Sequence, residues 1–263
     1  MERITSRANP LIAHVRKLGT DAAYRRERAA FVCDGIKLLD EALRWGGQVE
    51  AVLFSDGAYP GDAGLPPIPE GVRLVEVPAG VLDACSPSKT PQGVVCVCAV
   101  PGQSLPDTLN GRRYLALDGV QDPGNVGTIL RTADAFGADG LFLLPGCADL
   151  YHPRTIRASM GAVFRLPAWC CQTAELGTLL GRSRLPLYGA ALRGDARDPR
   201  EMGLSRCALG IGSEGRGLSA EVLALCGGTI RIPMRARCES LNAAAAAAVL
   251  LWEAARNDSI PPL

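Results

Sequence analysis

The chain has 263 residues, of which 48% are hydrophobic and 21% are charged, and its formal net charge is +1. A chain of this length buries one large core or two modest ones, and this composition is ordinary for a globular protein. No apolar run reaches the roughly 18 to 20 residues of a membrane span, and the first residues, MERITSR, lack the apolar core of a signal peptide. We therefore expect no membrane partner and a cytoplasmic location.

The first hundred residues predict a small α/β domain. Apolar residues at helical spacing predict helices over 11–18 and 35–44. Three runs rich in valine have the composition of strands: 51–54, 72–77 and 94–100. Four prolines between residues 59 and 69 predict a loop there.

After residue 111 the pattern restarts as alternating strands and helices. The predicted strands are 114–117, 140–144, 186–191, 207–211 and 229–232. The predicted helices are 126–136, 153–161, 172–181, 219–225 and 241–256. This alternation predicts the α/β fold class, with a mostly parallel sheet covered by helices. The predicted domains are residues 1–100 and 112–263, joined by a linker over 101–111.

Ten cysteines raise the question of disulfides or a zinc site. Zinc ligands normally come as closely spaced pairs, but the chain contains no C-x-x-C, and its two histidines are His14 and His152. The sequence favours buried free thiols in a reducing compartment. We expect no metal.

The small net charge conceals three groups of arginines. They are Arg25, Arg26 and Arg28; Arg154, Arg157 and Arg165; and Arg231, Arg235 and Arg237. Such groups can neutralise the phosphates of a nucleic acid. The alternative is a solvated surface in an arginine-rich chain.

The first motif is LDGVQDPGNVGTILRT, residues 117–132, in which a strand runs through a polar turn into a helix. Asn125 stands at the mouth of this helix and Arg131 follows two turns later. Gly124 and Gly127 allow the backbone to approach a ligand closely, and an amide with a guanidinium suits a phosphate or a ribose. The alternative is a structural corner with Asn125 as the N-cap and Arg131 in solvent.

The second motif is GIGSEGRGLS, residues 210–219, which contains the G-x-G-x-x-G pattern of dinucleotide-binding folds. A nicotinamide-dependent oxidoreductase is disfavoured, because only about fifty residues follow the pattern. Arg235 and Arg237 also stand where the ribose-binding acid belongs. What remains is a glycine-rich turn that carries one carboxylate, Glu214, whose structural alternative is a helix cap.

The third motif is IRIPMRARCESLN, residues 230–242, in which a strand ends at Pro233 and a loop leads to a helix. Ser240 is the predicted N-cap of that helix. Asn242 then falls in the first turn, where an asparagine adds little to helix stability, so a ligand explains it better. The alanine run 243–248 strongly favours helix.

With these three motifs in order, the chain resembles the SpoU, or TrmH-type, family of RNA ribose 2′-O-methyltransferases in the SPOUT superfamily. The first motif matches at Asn125, Gly127, Arg131, Thr132, Ala133 and Gly137. The second matches at Gly212, Glu214, Gly215, Gly217 and Leu218, and the third at Ile232, Pro233, Met234, Ser240, Leu241 and Asn242. Residues 1–100, which begin ITSRANP after the third residue, resemble the L30e-like substrate-binding domain of the ribosomal-RNA branch.

The resemblance implies an activity and a fold. The implied activity is methyl transfer from S-adenosylmethionine to a ribose 2′-hydroxyl of 23S ribosomal RNA; the alternatives are a transfer-RNA enzyme and a non-catalytic RNA-binding knot protein. The implied fold is an α/β catalytic domain with a deep trefoil knot, an exception to the usual absence of knots. A homodimer is also implied, with the site near the dimer interface. The basic N-terminal segment would then serve RNA docking, so charge reversal of Arg25, Arg26 and Arg28 should weaken RNA binding and reduce its salt dependence.

The resemblance also implies which residues act. The catalytic set is Arg131, Asn125, Glu214, Ser240 and Asn242, and the cofactor-binding set is Ala190, Gly212, Ile232 and Leu241. A ribose hydroxyl needs a base to remove its proton, whereas a guanidinium resists deprotonation. Whether Arg131 takes the proton, or instead holds the RNA phosphate and orients the hydroxyl, stays open.

Overall fold

A computed structural model describes residues 2–55, 57–59, 61, 66–102, 104–235, 237 and 240–258. Residues 60 and 62–65 of the predicted loop over 59–69, and residues Ala236, Cys238 and Glu239 of the third motif, lie outside these ranges. The chain forms two compact units: Met1–Gly102 with Asp149–Arg165, and Gln103–Ala148 with Leu166–Leu263. The domain boundaries at residues 100 and 112 stay a prediction.

The first unit is a small α/β fold. Its elements are β1 (Glu2–Arg3), α1 (Pro10–Thr20), α2 (Ala22–Arg28), β2 (Ala30–Asp34), α3 (Ile36–Arg44), β3 (Val49–Ser55), β4 (Arg73–Val77), α4 (Ala79–Cys85) and β5 (Val94–Ala99). The strand order is β1-β4-β3-β5-β2, in which β5 is antiparallel to both its neighbours. Strands β1 and β2 and helices α2 and α4 were not predicted.

Helix α1 shows how the sequence specifies these elements. Asn9 caps its start by accepting a hydrogen bond from the Leu11 N–H, and Pro10 occupies the first helical position. Three side chains at helical spacing, Ile12, Val15 and Leu18, are buried in the core.

The second unit contains the sheet that carries the motifs. Before residue 149 its elements are β6 (Arg113–Asp118), α5 (Pro123–Ala135) and β7 (Gly140–Leu143). The helices α6 (Pro153–Ser159) and α7 (Ala162–Arg165) then belong to the first unit. The second unit continues with β8 (Ala168–Cys170), α8 (Thr173–Ser183), β9 (Leu187–Ala190), β10 (Cys207–Gly212), α9 (Ala220–Leu225), β11 (Gly228–Ile230) and α10 (Ala243–Ala254).

All six strands of this sheet are parallel, in the order β11-β9-β10-β6-β7-β8. The prediction of a mostly parallel α/β sheet is confirmed, although β8 was missed. Because parallel strands end at the same edge, the segments that follow β6, β9, β10 and β11 emerge together, and this edge is the usual place for a ligand. In the part of the chain that is described, no helix is long and apolar enough to cross a membrane.

Helix α10 runs beside α5, and its start corrects the predicted cap. The N-cap is Asn242, whose side-chain oxygen accepts hydrogen bonds from the N–H groups of Ala244 and Ala245 at 2.9 and 3.2 Å. The predictions that Ser240 caps the helix and that Asn242 lies in its first turn were therefore wrong. Asn242, two residues after Ser240, satisfies the unpaired N–H groups at the start of the helix. This residue therefore has a structural role besides any role in binding a ligand.

Candidate functional site

A cavity of about 390 Å³ lies at the carboxyl edge of the second unit's sheet. Its walls come from the segments that follow β9, β10 and β11. All four residues predicted to bind the cofactor line it, namely Ala190, Gly212, Ile232 and Leu241, and so do two predicted catalytic residues, Glu214 and Ser240. That these residues bind a cofactor or act in catalysis stays a prediction.

The cavity has apolar walls and charged groups among its lining residues. The apolar side chains include Leu192, Ile211, Leu218, Leu223, Ile230 and Met234. The charged residues are Glu214, Arg216 and Arg231. Small-molecule sites of roughly 300–1,000 Å³ typically combine apolar walls with a few polar groups, so the cavity fits a ligand that has both an apolar body and charged ends.

The turn after β10 brings Glu214 to the cavity. The N–H of Ser213 donates to the Gly217 carbonyl at 3.2 Å, and the N–H of Gly217 donates back at 2.8 Å. A Cβ on Gly212 would lie 2.1 Å from the Gly217 carbonyl carbon, which no real structure tolerates. Glycine at 212 is therefore a requirement of the turn that carries Glu214.

The Asn125 side chain joins the three motifs through its amide. Its Nδ2 donates to Oε1 of Glu214 in the second motif. Its Oδ1 accepts from Nδ2 of Asn242 in the third motif at 3.1 Å. The Asn242 oxygen is occupied by the start of α10, so its amide nitrogen faces Asn125. Three of the five predicted catalytic side chains thus form one continuous network.

Asp118, at the end of β6, is a second link between the first two motifs. Its Oδ2 accepts a hydrogen bond from the N–H of Ser219 at 2.6 Å and so anchors the end of the glycine-rich turn. Asp118 was not among the predicted site residues. Its position directly after the predicted strand 114–117 could have identified it, because carboxylates at the carboxyl end of parallel strands often lie at ligand sites.

Arg131 stands apart from the Asn125 network. Its side chain is exposed on α5, and no residue in the described ranges forms a hydrogen bond or ion pair with it. Asp122, not Asn125, is the N-cap of this helix and accepts from the Asn125 N–H at 3.0 Å. The capping alternative for Asn125 is therefore wrong, and the Arg131 guanidinium faces solvent.

Three cysteines of the first unit come together, although Cys33 lies far from Cys96 and Cys98 in the sequence. Cys33 pairs across the sheet with Cys96, and the sulfur atoms of Cys33, Cys96 and Cys98 lie within 4.8 Å of one another. Hydrogen bonding with Cys96 and Cys98, together with burial, holds the pKa of the Cys33 thiol well above its usual range. Neutral buried thiols pack as small apolar side chains, and these three belong to a hydrophobic core cluster.

The fold separates the first group of arginines. Arg25 is only 3% exposed, and its Nε and Nη2 both donate to Oδ2 of Asp149, at 2.9 and 2.7 Å. Its Nη1 donates to the Leu18 carbonyl near the end of α1 at 2.7 Å. The prediction that Arg25 faces RNA was wrong, because this guanidinium is used to hold the fold together; Arg26 and Arg28 remain exposed.

Comparison with known families matches both parts of the chain. Residues 112–252 match the model of the SpoU rRNA Methylase family. Residues 9–96 match the model of the MRM3-like substrate binding domain.

Individual relatives cover nearly the whole chain. The 23S rRNA (guanosine(2553)-2′-O)-methyltransferase of Bacillus subtilis is 32% identical over 96% of this chain and 98% of its own length. The 23S rRNA (uridine(2479)-2′-O)-methyltransferase of Streptomyces viridochromogenes is 31% identical over 97% of this chain and 92% of its own. The crystal structure of an AdoMet-bound rRNA methyltransferase from Sinorhizobium meliloti superimposes with a TM-score of 0.83 at 30% identity, covering 98% of both chains.

Proposed function

The chain belongs to the SpoU rRNA methylase family, and on this premise we propose that it transfers a methyl group from S-adenosylmethionine to a ribose 2′-hydroxyl of 23S ribosomal RNA. The observation that carries the proposal is the hydrogen-bonded chain Glu214–Asn125–Asn242 beside the cavity. A network of this kind preorganises polar groups around a substrate. The relatives named above, with their 23S rRNA specificities, support the class of RNA.

The cavity suits S-adenosylmethionine. When bound, this cofactor supplies an electrophilic methyl group on a sulfonium sulfur. Ala190, Gly212, Ile232 and Leu241 would hold it against apolar walls, since all four line the cavity. The backbone around Gly212 and the charged residues at the cavity would meet its polar groups.

The catalytic side chains divide between positioning and phosphate binding. Asn125, Glu214 and Asn242 would hold the ribose through groups whose orientation the network already determines, and Ser240 at the cavity would assist them. Arg131 projects into solvent with a planar fork of donors that suits a phosphate. We assign it to the RNA phosphate beside the reacting ribose, where it orients the hydroxyl while the phosphate or a water molecule accepts the proton.

We also propose that the protein is a homodimer, that its chain is knotted and that it is located in the cytoplasm. Two copies would associate through α10, whose exposed face carries Val249 and Trp252, 42% and 62% exposed. The knot, near the C-terminus, is proposed on the ground of the family resemblance; in the strand order the connection from β10 to β11 passes β9. A ribosomal RNA substrate and free thiols both fit the cytoplasm.

Substitution of Arg131 tests the activity. We expect Arg131→Ala to lower the rate of methyl transfer to a 23S rRNA transcript by at least about 100-fold, because the hydroxyl loses its orientation. Calorimetry should give a dissociation constant for S-adenosylmethionine within about threefold of the unsubstituted protein. Arg131→Lys keeps the charge but loses the fork, so it should retain an intermediate rate.

Three outcomes count against the proposal. Loss of cofactor affinity with retained turnover contradicts the role of Arg131. If the unsubstituted protein methylates transfer RNA but not 23S rRNA, transfer RNA is its substrate and the proposed substrate is wrong. RNA binding with no methylation of either RNA makes the chain a non-catalytic binding protein.

A further inference from the structure

We propose that Lys17, Tyr24 and Arg28, on the hairpin of α1 and α2, form a phosphate-binding patch for ribosomal RNA. The inference rests on the proposed function and deepens it by naming which residues of the region that matches a substrate binding domain would contact RNA phosphates. The three residues are called the Tyr24 patch below.

The ring of Tyr24 holds two cations in place. The Lys17 ammonium lies 5.2 Å from the ring centroid and the Arg28 guanidinium lies 5.3 Å from it. Cations within about 6 Å of an aromatic face are attracted by its quadrupole. Each of these two long side chains therefore has a preferred position beside the same ring.

The ring itself is anchored on both sides. Its hydroxyl forms a 2.9 Å hydrogen bond with Nδ1 of His14 on α1, and the ring packs edge-on against His14. Tyr24 also packs against a hydrophobic core cluster of the first unit. Because the ring cannot move freely, the two cations lose less conformational entropy when they bind an anion.

The charges of the Tyr24 patch are available to a ligand. Lys17 and Arg28 are both exposed, and the carboxylate nearest to Arg28 is Glu27, at 3.6 Å and 67% exposed itself. Asp21 is occupied at the start of α2, where it accepts from the N–H groups of Ala23 and Tyr24. A solvent-exposed ion pair such as Arg28–Glu27 is worth little, so an RNA phosphate can replace it at small cost.

Arg25, next to Tyr24 along the chain, shows that not every arginine of this helix has the same use. It is buried against Asp149 and the end of α1, which makes the hairpin a firm support for the exposed cations. Of the three arginines predicted to bind RNA, Arg26 and Arg28 are exposed to a ligand, and Arg28 lies beside the Tyr24 ring.

The experiment measures binding of a full-length 23S rRNA transcript across a range of salt concentrations. We expect the double substitution Lys17→Ala with Arg28→Ala to weaken binding about tenfold. It should also reduce the slope of log affinity against log salt by about two, one for each lost phosphate contact. The KM for RNA should rise while kcat and the affinity for S-adenosylmethionine stay within twofold.

Matched variants separate charge from position. Arg44→Ala with Arg73→Ala also removes two exposed cations of the first unit, but these lie outside the Tyr24 patch and contact the carboxylates of Asp40 and Glu2 at 2.7 Å, closer than the 3.6 Å between Arg28 and Glu27; we expect this pair of substitutions to change affinity less than threefold. Tyr24→Leu keeps both cations but removes the ring, so it should weaken binding with little change in the salt slope. Tyr24→Phe keeps the ring but loses its hydrogen bond to His14, so it should weaken binding less than Tyr24→Leu does.

The inference fails if the control pair weakens RNA binding as much as the Lys17 and Arg28 pair, since net charge alone would then explain the effect. It also fails if the Lys17 and Arg28 pair leaves the salt slope unchanged in a protein that still methylates 23S rRNA. Absence of methylation by the unsubstituted protein would instead contradict the proposed function. Circular dichroism and thermal unfolding of each variant identify any that do not fold.

Discussion

At the scale of single residues, the Asn125 amide has a defined polarity. Its nitrogen donates to Glu214, and its oxygen accepts from Asn242. Neither an aspartate nor a leucine of similar size can make both hydrogen bonds. Asparagine at this position is therefore explained by the need to contact one acceptor and one donor from two different motifs.

Replacing the donor nitrogen of Asn125 with an acceptor oxygen tests this explanation. We expect Asn125→Asp to lower methyl transfer by about 100-fold or more, because two carboxylates then face each other and the network breaks. Adding Glu214→Gln restores a donor opposite the new acceptor, so the double variant should recover at least about tenfold of the lost rate. Methylation assays of both variants at saturating cofactor measure this, and a double variant no faster than Asn125→Asp would contradict the network.

At the scale of elements, Arg25 joins the end of α1, helix α2 and the segment that begins at Asp149. Removing a buried partner leaves the Asp149 carboxylate and the Leu18 carbonyl without their donor. We expect Arg25→Ala to lower the free energy of unfolding of the first unit by about 3–5 kcal/mol. Urea denaturation followed by circular dichroism measures the loss.

Arg26 provides the matched control, because it is the next residue on α2 and is exposed. Arg26→Ala should change the free energy of unfolding by no more than about 0.5 kcal/mol. Equal destabilisation by the two substitutions would contradict a specific contribution of the Asp149 contact, because alanine favours helix at least as well as arginine does.

The glycine-rich turn after β10 is the second element with a testable requirement. A Cβ on Gly212 would overlap the backbone of Gly217 and Leu218, whereas a Cβ on Gly215 would have nothing within 4 Å. We expect Gly212→Ala to weaken S-adenosylmethionine binding more than about tenfold, because the turn must move away from the cavity. Gly215→Ala should change it less than about threefold, and calorimetry distinguishes them; similar affinities would show that the turn tolerates the displacement.

The predicted elements agree with the structure where the local pattern is strong. Helix α3 spans Ile36–Arg44, close to the predicted 35–44, because its apolar residues recur at helical spacing. The short strands β1 and β8 have two and three residues, too few for a periodic pattern. Their pairing with β4 and β7 depends on distant segments, which no local pattern contains.

At the scale of the whole molecule, the exposed side of α10 predicts self-association. Trp252 is 62% exposed and packs edge-on against Phe136. We expect Trp252→Glu with Val249→Asp to convert the protein to a monomer, because charges cannot be buried unpaired in an apolar interface. Sedimentation equilibrium measures the molecular mass.

Trp45 of the first unit gives the control for this prediction, since it is 56% exposed and outside the α10 surface. Trp45→Glu should leave the mass unchanged. An unsubstituted protein that is already monomeric, or an α10 variant that stays dimeric, would contradict the proposed assembly.

Patterns along the chain predict most strands and helices of the second unit, though not β8, together with the three motifs and six of the residues that line the cavity: Ala190, Gly212, Glu214, Ile232, Ser240 and Leu241. These follow from local periodicity, glycine placement and a family resemblance, all of which can be read along the chain. Only the tertiary structure decided that Asn242 and not Ser240 caps α10, that Asn125 joins Glu214 to Asn242, and that Arg25 is buried while Arg28 is exposed. Each of these depends on contacts between segments far apart in sequence, where packing and hydrogen-bond geometry select one partner among several that local chemistry allows.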